Sequence, residues 1–137
     1  MKYLLDTNVC IIYLNRPDSL VRTKMQQHKP SQIYLCSVVK SELFFGAMKS
    51  QQTDKVLQKL DVFFAKLPSV SFDDIAAKRF GEIRAYLQQR GTPIGPYDLQ
   101  IASIALANDF TVVTHNTREF SRVPMLHLED WEMDNIE

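Results

Sequence analysis

The chain has 137 residues, 45% of them hydrophobic and 23% charged, with 16 basic residues balanced by 16 acidic ones. That length and apolar content suit one globular domain with its own core and exclude an intrinsically disordered chain. No apolar run approaches the roughly 20 residues that a membrane-spanning helix needs, and a formal net charge of zero gives no general case for a nucleic-acid binder.

The first element is a strand, "YLLD" at 3–6, which brings a carboxylate, Asp6, to the end of an apolar run. Because Asp6 interrupts "MKYLL" so early, no signal-peptide core forms there. Cys10 in "NVCII" and Cys36 in "IYLCS" read as buried thiols rather than a disulfide, so a cytoplasmic protein is expected. A short helix over 8–15 follows, with Asn8 as its expected cap, then one over 18–29 capped by Asp18 or Ser19. Within the latter, "VRTKMQQHK" offers Arg22, Lys24, His28 and Lys29 either to an anionic partner or, as a solvated face, to water alone.

A strand at 33–37 leads to a helix at 37–49, capped by Ser37, with Val39, Leu43 and Ala47 on one stripe. The next helix, 54–66, aligns Val56, Leu60 and Phe63. The segments "LFFG" (43–46) and "VFFA" (62–65) carry more aromatic surface than a small core requires. They suit a groove for a partner protein or a dimer face, with core packing as the default. A strand at 68–72, a helix at 73–90 ending at Gly91, a helix at 97–108, and strands at 110–114 and 125–128 complete the order. Alternating strands and helices of this kind form an α/β fold with a mainly parallel sheet, here one domain over 1–137. The last nine residues hold five acids (Glu129, Asp130, Glu132, Asp134, Glu137) and no Lys or Arg, leaving a net charge of +5 on residues 1–128. The body suits an anionic partner, and a solubilising acidic tail over 129–137 explains the same imbalance equally well.

In parallel α/β sheets, ligands collect beyond the carboxyl ends of the strands. Asp6 stands at such an end, where a cap and a metal ligand are both reasonable readings. Glu42 lies one turn into the helix after the second strand, between Val38 and Phe45 at i−4 and i+3. A carboxylate on an apolar face is costly unless it is paired or metal-bound. Asp98 opens the 97–108 helix on the stripe of Ile101, Ala102 and Ala105; taken alone, it is best explained by the positive helix end. Asn116 and Glu119 follow the fourth strand in "TVVTHNTREF", where a turn residue and a solvated acid are the ordinary readings.

Jointly they say more. If strands 1, 2 and 4 are parallel neighbours, Asp6, Glu42 and the 116–119 loop share one rim, with Asp98 beside them. Carboxylates crowded this way raise one another's pKa unless a cation intervenes. Oxygen ligands without Cys or a zinc-type His pattern select Mg²⁺ or Mn²⁺, and such ions support in-line hydrolysis of phosphodiesters. Among the histidines, His115 is near enough in sequence to touch this site, though a surface role is the simpler reading. Arg84, Arg90, Arg118 and Arg122 are candidates to hold RNA phosphates, and scattered solubilising charges explain them nearly as well.

These residues resemble the PIN-domain nucleases, and within them the VapC-type toxins of bacterial toxin–antitoxin modules. The resemblance runs through "LLDTNVCIIYL", "SVVKSELFFGA", "RGTPIGPYDLQIASIAL", "TVVTHNTREFSRV" and "LEDW". It implies a three-layer α/β/α domain around a five-stranded, mainly parallel sheet. It also implies an Mg²⁺- or Mn²⁺-dependent endoribonuclease, usually a homodimer, held inactive by a VapB-like antitoxin and meeting DNA only through that antitoxin. Asp6, Glu42 and Asp98 match the first, second and third acidic ligands. Asn116 stands where many PIN domains carry an aspartate; its amide oxygen can coordinate Mg²⁺, while Glu119 in "NTREF" supplies charge. The resemblance thus assigns catalysis to Asp6, Glu42, Asp98 and Glu119, and metal binding to Asp6, Glu42, Asp98 and Asn116. Thr7 and Asn8 match polar positions that shape the rim. "GTPIGPYD" is similar to the subgroup that cleaves initiator tRNA in its anticodon region.

Two other readings compete. A haloacid-dehalogenase-like phosphatase needs a second aspartate two residues after the first, where Asn8 stands, and a later lysine; the pattern is absent. A non-catalytic RNA- or protein-binding module would keep its function in an Asp98→Asn variant, whereas a nuclease would lose it.

Overall fold

The computed structural model describes residues 1–133. Five strands, β1 (Tyr3–Leu5), β2 (Ile33–Cys36), β3 (Ser69–Val70), β4 (Thr111–Val113) and β5 (His127–Glu129), form one sheet in the order β3-β2-β1-β4-β5. Every pairing is parallel. The register sets Tyr3 between Ile33 and Thr111, so β1 is central and its C-terminal end lies between those of β2 and β4. Strands buried on both faces read as continuous apolar runs; β1 and β4 have no exposed residue along their length.

Among the described residues, seven α-helices cover the sheet: α1 (Thr7–Asn15), α2 (Leu20–Gln26), α3 (Ser37–Lys49), α4 (Thr53–Lys66), α5 (Asp74–Gln89), α6 (Pro96–Asn108) and α7 (Thr117–Phe120). One continuous core joins sheet and helices, with Leu4, Leu5, Ile101, Ile104, Phe120 and Trp131 among its largest fully buried side chains. Cys10 and Cys36 are buried free thiols. Burial holds the Cys10 thiol well above the ordinary range and pushes Cys36 up to about 11. No helix among the described residues is long and apolar enough to cross a membrane.

The elements fall where the periodicity predicts, with instructive shifts at their ends. Helix α1 starts at Thr7, because Asp6 rather than Asn8 is the cap, accepting from the Val9 N–H at 2.9 Å. Ser19 caps α2, and the helix stops at Gln26; a 3₁₀ turn at Pro30–Gln32 follows. Ser37 is the first residue of α3 rather than its cap, a position taken by Cys36 without a side-chain bond. Only Ser69 and Val70 of the 68–72 run join the ladder. Asp73 caps α5, and Gly91 at φ +67° turns the chain out of it, a backbone shape that favours glycine.

One expectation about a surface needs correction. Phe45 is 64% exposed, so Glu42 does not interrupt a wholly apolar face: Val38 is buried below it and Phe45 points outward. Phe44, Met48 and Val62 are exposed as well, while Phe63 and Leu43 enter the core. Over its described part, the acidic segment from 129 is anchored to the domain. Glu129 lies in β5 and accepts from the Trp131 indole N–H at 3.0 Å, and Trp131 stacks on His28 with ring centroids 5.1 Å apart. Asp134 and Glu137, the other acids assigned to that tail, lie outside the described residues.

Candidate metal centre and active site

The parallel order β2-β1-β4 brings three strand ends together, and the expected acids converge there. Asp6 is 6% exposed. Its Oδ1 takes the α1 cap bond, and its Oδ2 accepts from the Thr114 hydroxyl at 2.5 Å. Thr114, fully buried at the end of β4, accepts in turn from the Asn116 N–H at 2.9 Å. One carboxylate therefore joins β1, α1 and the loop after β4. Burial raises its pKa, the two hydrogen bonds oppose that rise, and the charges of Glu132 and Glu42 add to it.

Glu42, half-buried on α3, accepts from the Thr7 hydroxyl at 2.6 Å, which ties the α3 carboxylate to the first turn of α1. Opposite it, Asp98 in the first turn of α6 meets the α7 residues. The Asn116 amide Nδ2 donates to Glu119 Oε2 at 2.8 Å and to Asp98 Oδ2 at 3.3 Å. Burial first, then the hydrogen bond and charge of Glu119, push the Asp98 pKa up to about 7, with Asp6 and Glu42 contributing. The charges of Glu119, Asp6 and Glu42 thus all bear on Asp98 at this rim. In this arrangement Asn116 turns its amide nitrogen toward two carboxylates and bridges them.

The donor set suits a divalent cation. It is all oxygen, it carries excess negative charge, and its most perturbed member retains a proton near neutrality where a cation would relieve the same repulsion. Asp6, Glu42 and Asp98, with Glu119 beside them, could hold such an ion.

The remaining expected residues are placed less uniformly. Asn8 is exposed and lines, with Asp6, His115, Asn116 and Glu132, a cavity of about 410 Å³. Arg118 is exposed on α7 next to Glu119. Arg84 lies apart, in a cavity of about 260 Å³ between α5 and the 93–99 segment, with Phe80, Ile94 and Leu99 among its neighbours. Arg122 donates to the Pro93 carbonyl at 2.9 Å, bracing the loop that precedes α6. Two groups at the rim are not evident from sequence spacing. Thr114 reads there as the end of a strand, and Glu132 reads as tail. The hydroxyl becomes significant only through the β1–β4 pairing, and Glu132 only through β5.

The Thr114 contact carries a measurable prediction. Thr114→Val keeps the shape but leaves buried Asp6 Oδ2 and the Asn116 N–H each short of a partner, which costs about 1–3 kcal/mol. Chemical denaturation of the metal-free protein checks this.

Comparisons with known proteins agree with the geometry. The PIN domain family matches residues 3–126. The chain belongs to the PIN-domain family. Among this family's VapC members, Ribonuclease VapC2 of Rickettsia felis is 40% identical over 133 residues, covering 96% of this chain and 99% of the relative. The tRNA(fMet)-specific endonuclease VapC of Shigella flexneri is 37% identical over 131 residues, covering 96% and 98%. In three dimensions, this PIN domain superposes on a chain of VapBC2 from Rickettsia felis bound to a DNA fragment from their promoter. The TM-score is 0.90 at 36% identity, with 96% and 99% of the two chains covered. DNA-bound VapBC from Salmonella typhimurium gives 0.90 at 37% identity, covering 96% and 98%. The fold and the VapC resemblance read from the sequence are both upheld.

Proposed function

We propose that this PIN domain is a divalent-metal-dependent endoribonuclease of the VapC type, which hydrolyses RNA phosphodiester bonds and is neutralised by a VapB-like antitoxin. The observation that carries the reading is the meeting of Asp6, Glu42, Asp98 and Glu119, from four different elements, at the open end of a parallel sheet. The donor chemistry favours Mg²⁺, with Mn²⁺ able to replace it. Antitoxin control is supported by the relatives, whose solved structures are VapBC complexes on DNA; contact of this chain with DNA is then indirect. A homodimer, one functional unit over 1–137 and a cytoplasmic location complete the proposal. The name of the Shigella relative, a tRNA(fMet)-specific endonuclease, supports initiator tRNA as the substrate.

In this mechanism each side chain has a limited task. A bound divalent ion supplies charge neutralisation at the scissile phosphate and makes a nearby water more acidic. Asp6, fixed by two hydrogen bonds, presents a carboxylate that cannot swing. Thr7 holds Glu42 toward the same space. Asp98, pushed up to about 7 by burial and by Glu119 beside it, can take or release a proton near neutral pH. Asn8, at the cavity wall, and Arg118, beyond Glu119, are placed to meet the RNA backbone, and Arg84 would meet a more distant stretch of it.

The deciding experiment incubates purified protein, freed of antitoxin, with total tRNA in Mg²⁺ and sequences the new RNA ends. Discrete ends that vanish on chelation support the reading; their absence with active-site residues intact rejects it. Thr7→Val should lower the cleavage rate about 10-fold by releasing Glu42, in keeping with the 10–100-fold effects of residues that orient ligands. Thr7→Ser should retain most of the activity, and initial rates on a short RNA compare the two.

A further inference from the structure

Beyond the carboxylate centre, a second group of ligating side chains lies at the edge of the same cavity. His115 follows β4, whereas Asp130 and Glu132 follow β5. The parallel register pairs Val113 with Glu129, and the Thr114 N–H donates to the Glu129 carbonyl at 2.9 Å. Residues just past the two strand ends are therefore neighbours. His115 Nδ1 lies 2.9 Å from Asp130 Oδ2. One ligand atom from each of His115, Asp130 and Glu132 falls within 4.8 Å of the other two, close to the span of ligands around a single ion.

We propose that His115, Asp130 and Glu132 form a second divalent-cation site, separate from the Asp6–Glu42–Asp98 centre, that takes an ion such as Co²⁺, Ni²⁺ or Zn²⁺ in preference to Mg²⁺. The imidazole sets the selectivity. Nitrogen ligands suit first-row transition ions, while Mg²⁺ demands oxygen and keeps its waters. The supports are already in place. The Glu132 N–H donates to Asp130 Oδ1 at 3.0 Å, which leaves Oδ2 for the histidine and the ion. Trp131, 1% exposed and between the two acids, anchors that turn in the core. Among the described residues, no Lys or Arg pairs with Asp130 or Glu132. Since His115 and Glu132 share their cavity with Asp6 and Asn116, an ion here stands at the mouth of the carboxylate centre without using its ligands.

The lone tryptophan of the chain makes the test direct, because Trp131 sits between two of the three ligands and paramagnetic Co²⁺ quenches indole fluorescence at short range. The titration uses Co²⁺ at pH 8 on the full chain carrying Asp98→Asn, which cripples the neighbouring centre. Saturable quenching is expected, with half-saturation raised at least tenfold by adding His115→Ala or Glu132→Gln and moved by Mg²⁺ only in large excess. Circular dichroism establishes that these surface variants stay folded. Unsaturated quenching up to millimolar Co²⁺, or equal curves with and without His115, overturns the proposal. Neither readout depends on RNA cleavage, so the result stands apart from the nuclease reading.

Discussion

Replacing Asp98 with asparagine is expected to lower metal-dependent RNA cleavage at least about 1000-fold, a loss of roughly 4 kcal/mol of transition-state stabilisation, while making the metal-free protein more stable at alkaline pH. The two effects share a cause. Asp98 belongs to a rim of carboxylates that repel, and its pKa of about 7 records how unwelcome its charge is without a cation. Asparagine keeps the shape, and its amide oxygen still accepts from Asn116, but it brings neither charge nor a strong ligand. At pH 8 the variant should melt above the parent; at pH 4, where Asp98 is protonated anyway, the advantage should vanish. Such an exchange of stability for activity is common where charges are held together for chemistry. Cleavage assays and melting curves on one preparation test both halves, and retained cleavage would remove the mechanism.

The second large effect concerns the ion. Asp98 titrates at about 7 in the folded chain, against 3.8 ordinarily, so the native state binds a proton that the unfolded state has released. The resulting stability is fully present below about pH 4 and lost as pH rises through 7. Asp6, also raised, acts in the same direction. The melting temperature of the metal-free protein should therefore fall between pH 5 and pH 8. Mg²⁺ or Mn²⁺ should restore it, because the ion replaces the missing positive charge. At 100 times its dissociation constant a native-state ligand contributes about 2.7 kcal/mol, or roughly 5–10 °C for a domain of this size. The gain should shrink at pH 5, where protons compete for the same oxygens. A metal-induced shift that is equal at both pH values would contradict the assignment of Asp98 to the centre.

Much of this site is legible in the sequence because strand ends are legible. Asp6 terminates an apolar run, Glu42 lies one turn into the helix after the next one, and Asp98 heads a helix with an apolar stripe. Once the sheet is read as parallel, these must approach one another. The terminal details are harder to read. Whether α1 begins at Thr7 or Asn8 depends on which side chain accepts from the backbone, and Asp6 and Asn8 are both competent. Helix α7 has only four residues, too few for a periodic signal. The exposure of Phe45 escapes pattern reading because a helix contributes to two neighbours at once, and its apolar residues need not share one face. Glu132 and Thr114 gain meaning only from the placement of β4 beside β1 and of β5 beside β4, a long-range fact that no local window contains.

The double engagement of Asp6 has a consequence for how such proteins are disarmed and how they diverge. One oxygen of that residue begins a helix and the other clasps the neighbouring strand, so architecture and chemistry draw on the same two atoms. A knockout at position 6 would blur lost reactivity with a loosened scaffold, whereas position 98 offers a clean inactive control. Mutational drift at this junction is constrained twice over, which makes the first carboxylate a poor place for a tolerated escape from toxicity and the others better ones.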